Sequence, residues 1–210
     1  AIYMLSMGKS FRSKQPQEII QHNQSKLSIS ASIKHKNTHF VGIEKNRNSE
    51  TRLRIDANTA RSTAEIAELL PLQLMTPHGF HLLETGPEDK RKFLDWGVFH
   101  VEHLFIEHWR SFKKALKQRN ALLKSSRVNL SEIKLWDQEL NRSVIPITEM
   151  RKNFTLALFP IIQTIAKDLL GINNIKLTHL PGWNIQKEYL ALLEENIKKD
   201  KLFGFTQAGP

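Results

Sequence analysis

Between Lys26 and Ile33 the apolar residues Leu27, Ile29, Ala31 and Ile33 alternate with Ser28, Ser30 and Ser32. That is the two-residue period of a strand with one wet face. Phe40-Val41-Gly42-Ile43 reads as a second strand, the Asn46–Ser49 stretch as a turn, and Leu53 with Ile55 as a third strand, which together predict an antiparallel meander. Before it, Ala1–Met7 reads as a helix end capped by Gly8, and Pro16–Gln21 as one or two helical turns. After it, Ser62-Thr63-Ala64-Glu65 has capping-box spacing ahead of Ile66, Ala67, Leu69 and Leu70. Leu72–Thr76 reads as a strand closed by Pro77 and Gly79.

From Pro87 the period becomes helical, and the spacing predicts helices over 88–98, 103–125, 132–144 and 147–169, the last stopped by Gly171 and Asn173. A strand at Ile175–His179, a helix at Ile185–Lys199 and a strand at Leu202–Thr206 follow. Sheet, helical block, then sheet predicts an α/β (α+β) head with an antiparallel meander and an inserted, mainly helical arm.

The helix predicted at 103–125 changes the picture most. Seven Lys/Arg and no acidic residue lie between Arg110 and Arg127. At about 100° per residue, Arg110, Lys113, Lys114, Lys117 and Lys124 fall within an arc of roughly 100°, beside an apolar arc of Phe105, Trp109, Phe112, Leu116 and Leu123. One stripe faces solvent or phosphates while the other packs. A lysine face that serves only solubility usually carries interspersed glutamates, so phosphate contact stands beside the solvated-surface reading.

Composition narrows the class. The chain has 210 residues, 40% hydrophobic and 25% charged, which fits a globular domain or a head with a second module. Thirty-one Lys+Arg against 21 Asp+Glu give a net charge of +10, which favours polyanions. There is no cysteine, so disulfides and thiolate metal sites are excluded. No apolar run reaches the roughly 20 residues of a membrane span, and Ala1–Met7 lacks the flanks of a signal peptide.

Thr76–Gly97, reading TPHGFHLLETGPEDKRKFLDWG, closely resembles a signature of the RecF family: Pro-Glu, an apolar stretch, then Gly-x-Pro-x-x-Arg-Arg-x-Phe-Leu-Asp. Leu116-Lys117-Gln118-Arg119-Asn120 is similar to the family's Leu-Lys-Gln-Arg-Asn element, and Trp136-Asp137 with Glu139-Leu140 to its Trp-Asp and Glu-Leu. Ala1-Ile2-Tyr3 and Gly8-Lys9-Ser10-Phe11-Arg12 resemble Ala-Ile-Tyr and Gly-Arg-Ser-Phe-Arg. These matches run in family order over nearly the whole chain.

The resemblance implies an internal piece of a bacterial, cytoplasmic ABC/SMC-type ATPase with a helical arm. It implies ATP with Mg²⁺ in the intact protein, ATP-dependent homodimerisation, and binding of single- and double-stranded DNA at gaps. It also implies RecO and RecR as partners in recombinational repair, replication restart and the SOS response. On that reading residues 1–87 belong to the head lobe, 88–172 to the arm, and 173–210 return towards the head.

The family's phosphate-binding loop would lie upstream of Ala1, its signature motif and Walker B acids downstream, and Gly209-Pro210 would open its Gly-Pro-His motif. No Gly-x-x-x-x-Gly-Lys-[Ser/Thr] occurs in the chain. No catalytic residue is therefore expected here, and the 210-residue chain alone should not turn over ATP.

Thr76, Pro77, His78 and Gly79 fall where the resemblance places a nucleotide-sensing loop like the ABC Q-loop. His78 stands where relatives usually have Glu, which removes a fixed negative charge. Lys90 replaces the first Arg of the Arg-Arg pair and loses its bidentate geometry. The expected DNA contacts are Arg91, Arg110, Lys113, Lys114, Lys117, Arg119 and Lys124, with Arg12 in the loop after the first helix, all gripping phosphates and not reading bases.

Other residues read as structural. His100, His103 and His108 do not share one narrow helical face and carry no zinc motif, so no metal site is expected. Asp95 is expected to serve as a cap or to pair with Arg91 at i,i+4. Trp96 and Trp109 are expected in the core.

Overall fold

A computed structural model describes the chain apart from Lys14, His35, Lys36, Ser49, residues 77–83, Thr85 and residues 126–128. Three residues of the expected nucleotide-sensing loop, Pro77, His78 and Gly79, lie outside the described residues. The chain divides into two units, residues 1–81 and 82–210.

The first unit contains α1 (Ile2–Met7), α2 (Pro16–Ile19), β1 (Lys26–Lys34), β2 (Thr38–Asn46), β3 (Thr51–Ile55), β4 (Asn58–Thr59) and α3 (Thr63–Leu69). The strands form one antiparallel sheet in the order β1-β2-β3-β4. Its register follows the alternation in the sequence. Ile29 pairs with Ile43 and Ile43 with Leu53, while Ser30 pairs with Gly42 and Gly42 with Arg54 on the opposite face. Val41, Ile43 and Leu53 bury against Leu5 of α1 and Ile66 of α3.

Gly8 ends α1 at φ 67, where a Cβ would collide with Thr63 Cγ2. Ahead of α3, Glu65 Oε1 accepts from the Arg61 amide at 3.0 Å and from the Ser62 hydroxyl at 3.5 Å. The β3–β4 turn places Asp56 and Ala57 at φ 50 and 70. A two-residue hairpin demands that geometry, and alanine adopts it at some cost.

The second unit contains α4 (Pro87–Val101), α5 (Phe105–Lys124), α6 (Leu130–Leu170) and α7 (Tyr189–Phe203). Val98, Phe105, Phe112, Ala115, Leu140, Val144, Ile147, Tyr189 and Leu193 form its core. Gly97 packs so closely on the Phe154 ring that a Cβ would overlap it.

Several expectations are corrected. The two helices predicted at 132–144 and 147–169 are one 41-residue helix with Pro146 and Pro160 inside it. Proline normally breaks a helix by removing a donor and crowding the preceding turn. Here Val144 and Ile147, on either side of Pro146, are both fully buried, and that packing carries the helix through. Asn129 caps its start by accepting from the Ser131 and Glu132 amides, and Gly171 ends it at φ 69.

No strand forms at 72–76 or 175–179, and 202–206 carries the end of α7. Asp95 pairs with Arg151 of α6, not with Arg91, at 2.7 Å from both Nε and Nη2. Residues 173–210 belong to the second unit, where Tyr189 and Leu193 are core residues and Trp183 Nε1 donates to Thr148 at 3.1 Å.

Burial, with Arg151 nearby, holds the His179 imidazole below its usual pKa. The unfolded chain therefore takes up the proton first, so stability is constant above about pH 6.5 and falls as pH drops through that value. The thermal midpoint is expected to fall between pH 7 and pH 5, and His179→Gln to flatten that part of the curve. An equally steep profile in the variant would refute the assignment.

Candidate nucleic-acid interface

α5 is a helix because its residues favour one. Lys, Leu, Ala, Gln and Arg dominate it, and neither Gly nor Pro interrupts it. Glu107 in its first turn and Lys124 in its last complement the helix dipole. Its apolar side is buried: Phe105, Phe112, Ala115 and Leu123 are at most 6% exposed, with Trp109 and Leu116 packed beside them.

Arg110, Lys113, Lys114, Lys117 and Lys124 are all exposed, as the sequence predicts. Lys113 Nζ lies 5.3 Å above the Trp109 ring, a cation–π contact that anchors it beside the apolar arc. Among the described residues no ion pair joins Lys113, Lys114, Lys117 or Lys124 to a carboxylate. Beyond α5, Arg91 is exposed on α4. Arg12 is exposed in the first unit, with its guanidinium carbon 5.6 Å above the Phe11 ring. Thr76 is exposed and lies outside any helix or strand.

Arg119 is corrected. Its side chain is 0% exposed and does not reach the cationic face. Nε donates to Asp137 Oδ1 at 2.6 Å, and Nη1 to Asp200 Oδ2 at 2.7 Å and Thr206 Oγ1 at 2.9 Å. Asn120 Oδ1 accepts from the Thr206 amide and hydroxyl, and Asp200 Oδ1 from the Gln207 amide. One guanidinium thus ties α5 to α6, α7 and residues 206–207. Burial raises the Asp137 carboxyl pKa, opposed by the Arg119 hydrogen bond and charge. Burial likewise raises the Tyr189 phenol, which donates to the Ala208 carbonyl at 2.9 Å.

The helical angle already held this signal. At about 100° per residue Arg119 falls roughly opposite Arg110, at the edge of the apolar arc. The pentapeptide resemblance drew attention to the residue, but its angle placed it in the core. Asp200 and Thr206, its partners, carried no motif.

Among the described residues no group of three His, Asp or Glu is placed to hold a metal ion. No helix among them is long and apolar enough to cross a membrane.

Comparison with known proteins adds the family. No protein-family model matches the chain. Two curated proteins, each named DNA replication and repair protein RecF, match its full length: one from Pseudomonas putida at 37% identity over 212 residues, one from Pseudomonas syringae pv. syringae at 38% over 215.

The chain belongs to the RecF family.

It spans 58% of the length of those RecF relatives. Two solved RecF structures share its fold over 100% of the chain and 60% of their own. They are described as the recombination mediator protein RecF-ATPrS, and RecF-ATP, in the RecFOR pathway. Their TM-scores are 0.86 and 0.83, at 19% and 20% identity. The α/β architecture expected from the sequence, an antiparallel meander with a helical block, is thus the fold of those RecF structures.

Proposed function

We propose that this chain contributes a phosphate-gripping surface to an ATP-dependent DNA-binding protein of recombinational repair and replication restart. The observation that carries the proposal is the α5 face. Arg110, Lys113, Lys114, Lys117 and Lys124 are exposed together, while the opposite side of the same helix is fixed in a core. A rigid row of cations with little competing acid attracts a polyphosphate backbone through counterion release. Arg91 and, in the other unit, Arg12 are the further candidate contacts.

For the whole protein we infer ATP-driven homodimerisation, Mg²⁺ accompanying ATP, DNA-dependent ATP hydrolysis, and work with RecO and RecR at gapped DNA in the bacterial cytoplasm. These inferences follow from the family. The residues of this chain do not fit a triphosphate by themselves, since they include no phosphate-loop motif, and no step is derived through the nucleotide. Thr76 to Gly79 remain the proposed nucleotide-sensing loop.

The competing reading is a helical scaffold whose charge only aids solubility. A salt titration of duplex affinity separates the two. Neutralising five phosphates gives a log–log slope of roughly −4 to −5, at about −0.9 per phosphate. An affinity insensitive to salt would favour the scaffold.

A further inference from the structure

The outer face of the first unit's sheet has a feature that the α5 reading does not use. Phe40 points away from the core and is 65% exposed, although its neighbours Val41 and Ile43 are buried. Directly across from it on β1 is Ser32. One pleat further, Gly42 sits between Ser30 of β1 and Arg54 of β3. Ser30, Ser32, Phe40, Gly42, Arg54 and Ala57 line an open depression of about 450 Å³ on this face.

Gly42 makes the depression, and nothing within the described residues demands a glycine there. Its φ is not in the left-handed region, and a Cβ would meet only the Ile29 carbonyl oxygen, at an ordinary 3.8 Å. A glycine inside a strand weakens it and often marks close approach of a ligand or another backbone. Ala57, on the rim, holds φ 70 at some conformational cost.

The charge around the floor is one-sided. Glu44 is engaged by Lys26 Nζ at 2.7 Å. Asp56 is engaged by His39 Nδ1 at 2.7 Å and by the Phe40 amide at 2.8 Å. The hydrogen bonds to Lys26 and to His39 are the main reason each carboxyl lies below its usual pKa. Arg54 is exposed, without a carboxylate partner among the described residues, and Lys34 is exposed at the end of β1.

We propose that this face binds single-stranded DNA, with a base stacked on Phe40 over the Gly42 floor and the adjoining phosphate on Arg54. An exposed ring beside an unengaged guanidinium and serine hydroxyls is the chemistry that receives an unpaired base and its backbone. Duplex DNA keeps its base faces inside the stack and has nothing to offer the ring. The choice of nucleic acid rests on the DNA-binding reading above, but the site shares no residue with α5.

The test measures anisotropy of a labelled oligodeoxythymidine, its abasic counterpart and a duplex with the 210-residue chain. Phe40→Ala removes the platform. Gly42→Val fills the floor in a position where a strand accepts it, so the fold survives. Each is expected to weaken single-strand binding about tenfold, the order of one lost stacked base, and to leave the duplex and the abasic strand unaffected. Phe40→Trp is expected to restore binding.

Lys113→Glu with Lys117→Glu should weaken all three ligands alike, so the two sites fail separately. Absent single-strand binding, unchanged affinity in Phe40→Ala and Gly42→Val, or equal losses for the abasic strand would each overturn the proposal. In those cases Phe40 is a lone exposed apolar residue or part of a protein-binding face.

Discussion

Arg119→Met is expected to destabilise the helical unit by about 3–5 kcal/mol, the usual cost of stranding buried charge by deleting its counterion. Asp137 and Asp200 are 5% and 0% exposed, and both direct a carboxylate at that guanidinium. Without it, two acids face each other across three helices, and Thr206 loses its donor from Nη1. The loss should appear as a lower urea midpoint with an unchanged slope.

A triple replacement of Arg119, Asp137 and Asp200 by apolar residues of similar size should recover much of the loss, because it removes the desolvation penalty together with the attraction. The pair of variants separates a structural arginine from a DNA contact. A phosphate-gripping Arg119 would lose affinity with stability intact. Less than about 1 kcal/mol lost by the single variant would show the network to be energetically idle.

The same residue shows what the sequence could and could not tell. The meander was legible because its strands keep a strict period of two: Leu27, Ile29 and Ile33 point inward as their spacing requires, and Gly8 and Gly171 cap the helices they were expected to end. The cationic and apolar sides of α5 were legible for the same reason, at a period near 3.6. What failed were judgments in which local propensity competes with packing. The gap predicted at Pro146 read as a break between two helices, and the core overrode it. Short apolar runs at 72–76 and 175–179 read as strands, though a strand needs a partner edge that no local pattern reports.

Pairings across long separations were also out of reach. Arg119 finds Asp200 81 residues away, and Asp95 finds Arg151 56 residues away. One clue was present: Arg119, Asp137 and Asp200 each fall on the apolar side of their helix, as Arg151 does, and charge placed there announces a partner. The outer face of the sheet carries no motif, and its serines read only as the wet half of an alternation.

Lys113→Glu with Lys117→Glu is expected to reduce duplex affinity about 100-fold at moderate salt, since each reversal removes one attraction and adds a repulsion of similar size. Both side chains are exposed, so the fold should be indifferent. Lys198→Glu with Lys199→Glu, on exposed positions of α7, makes the same change in net charge elsewhere and serves as the control. A tenfold or smaller effect from that control, against the larger one on α5, would mark a localised interface. Equal losses would mean that overall charge, not the α5 row, attracts DNA.

The central claim is that the α5 cations touch phosphates, and the salt dependence of affinity reads the number of such contacts. Lys113→Gln with Lys117→Gln should make the log–log slope shallower by about 1.8 relative to the unaltered chain, at roughly 0.9 per lost contact. Parallel lines for the two proteins would mean that neither lysine meets the backbone, and would contradict the account.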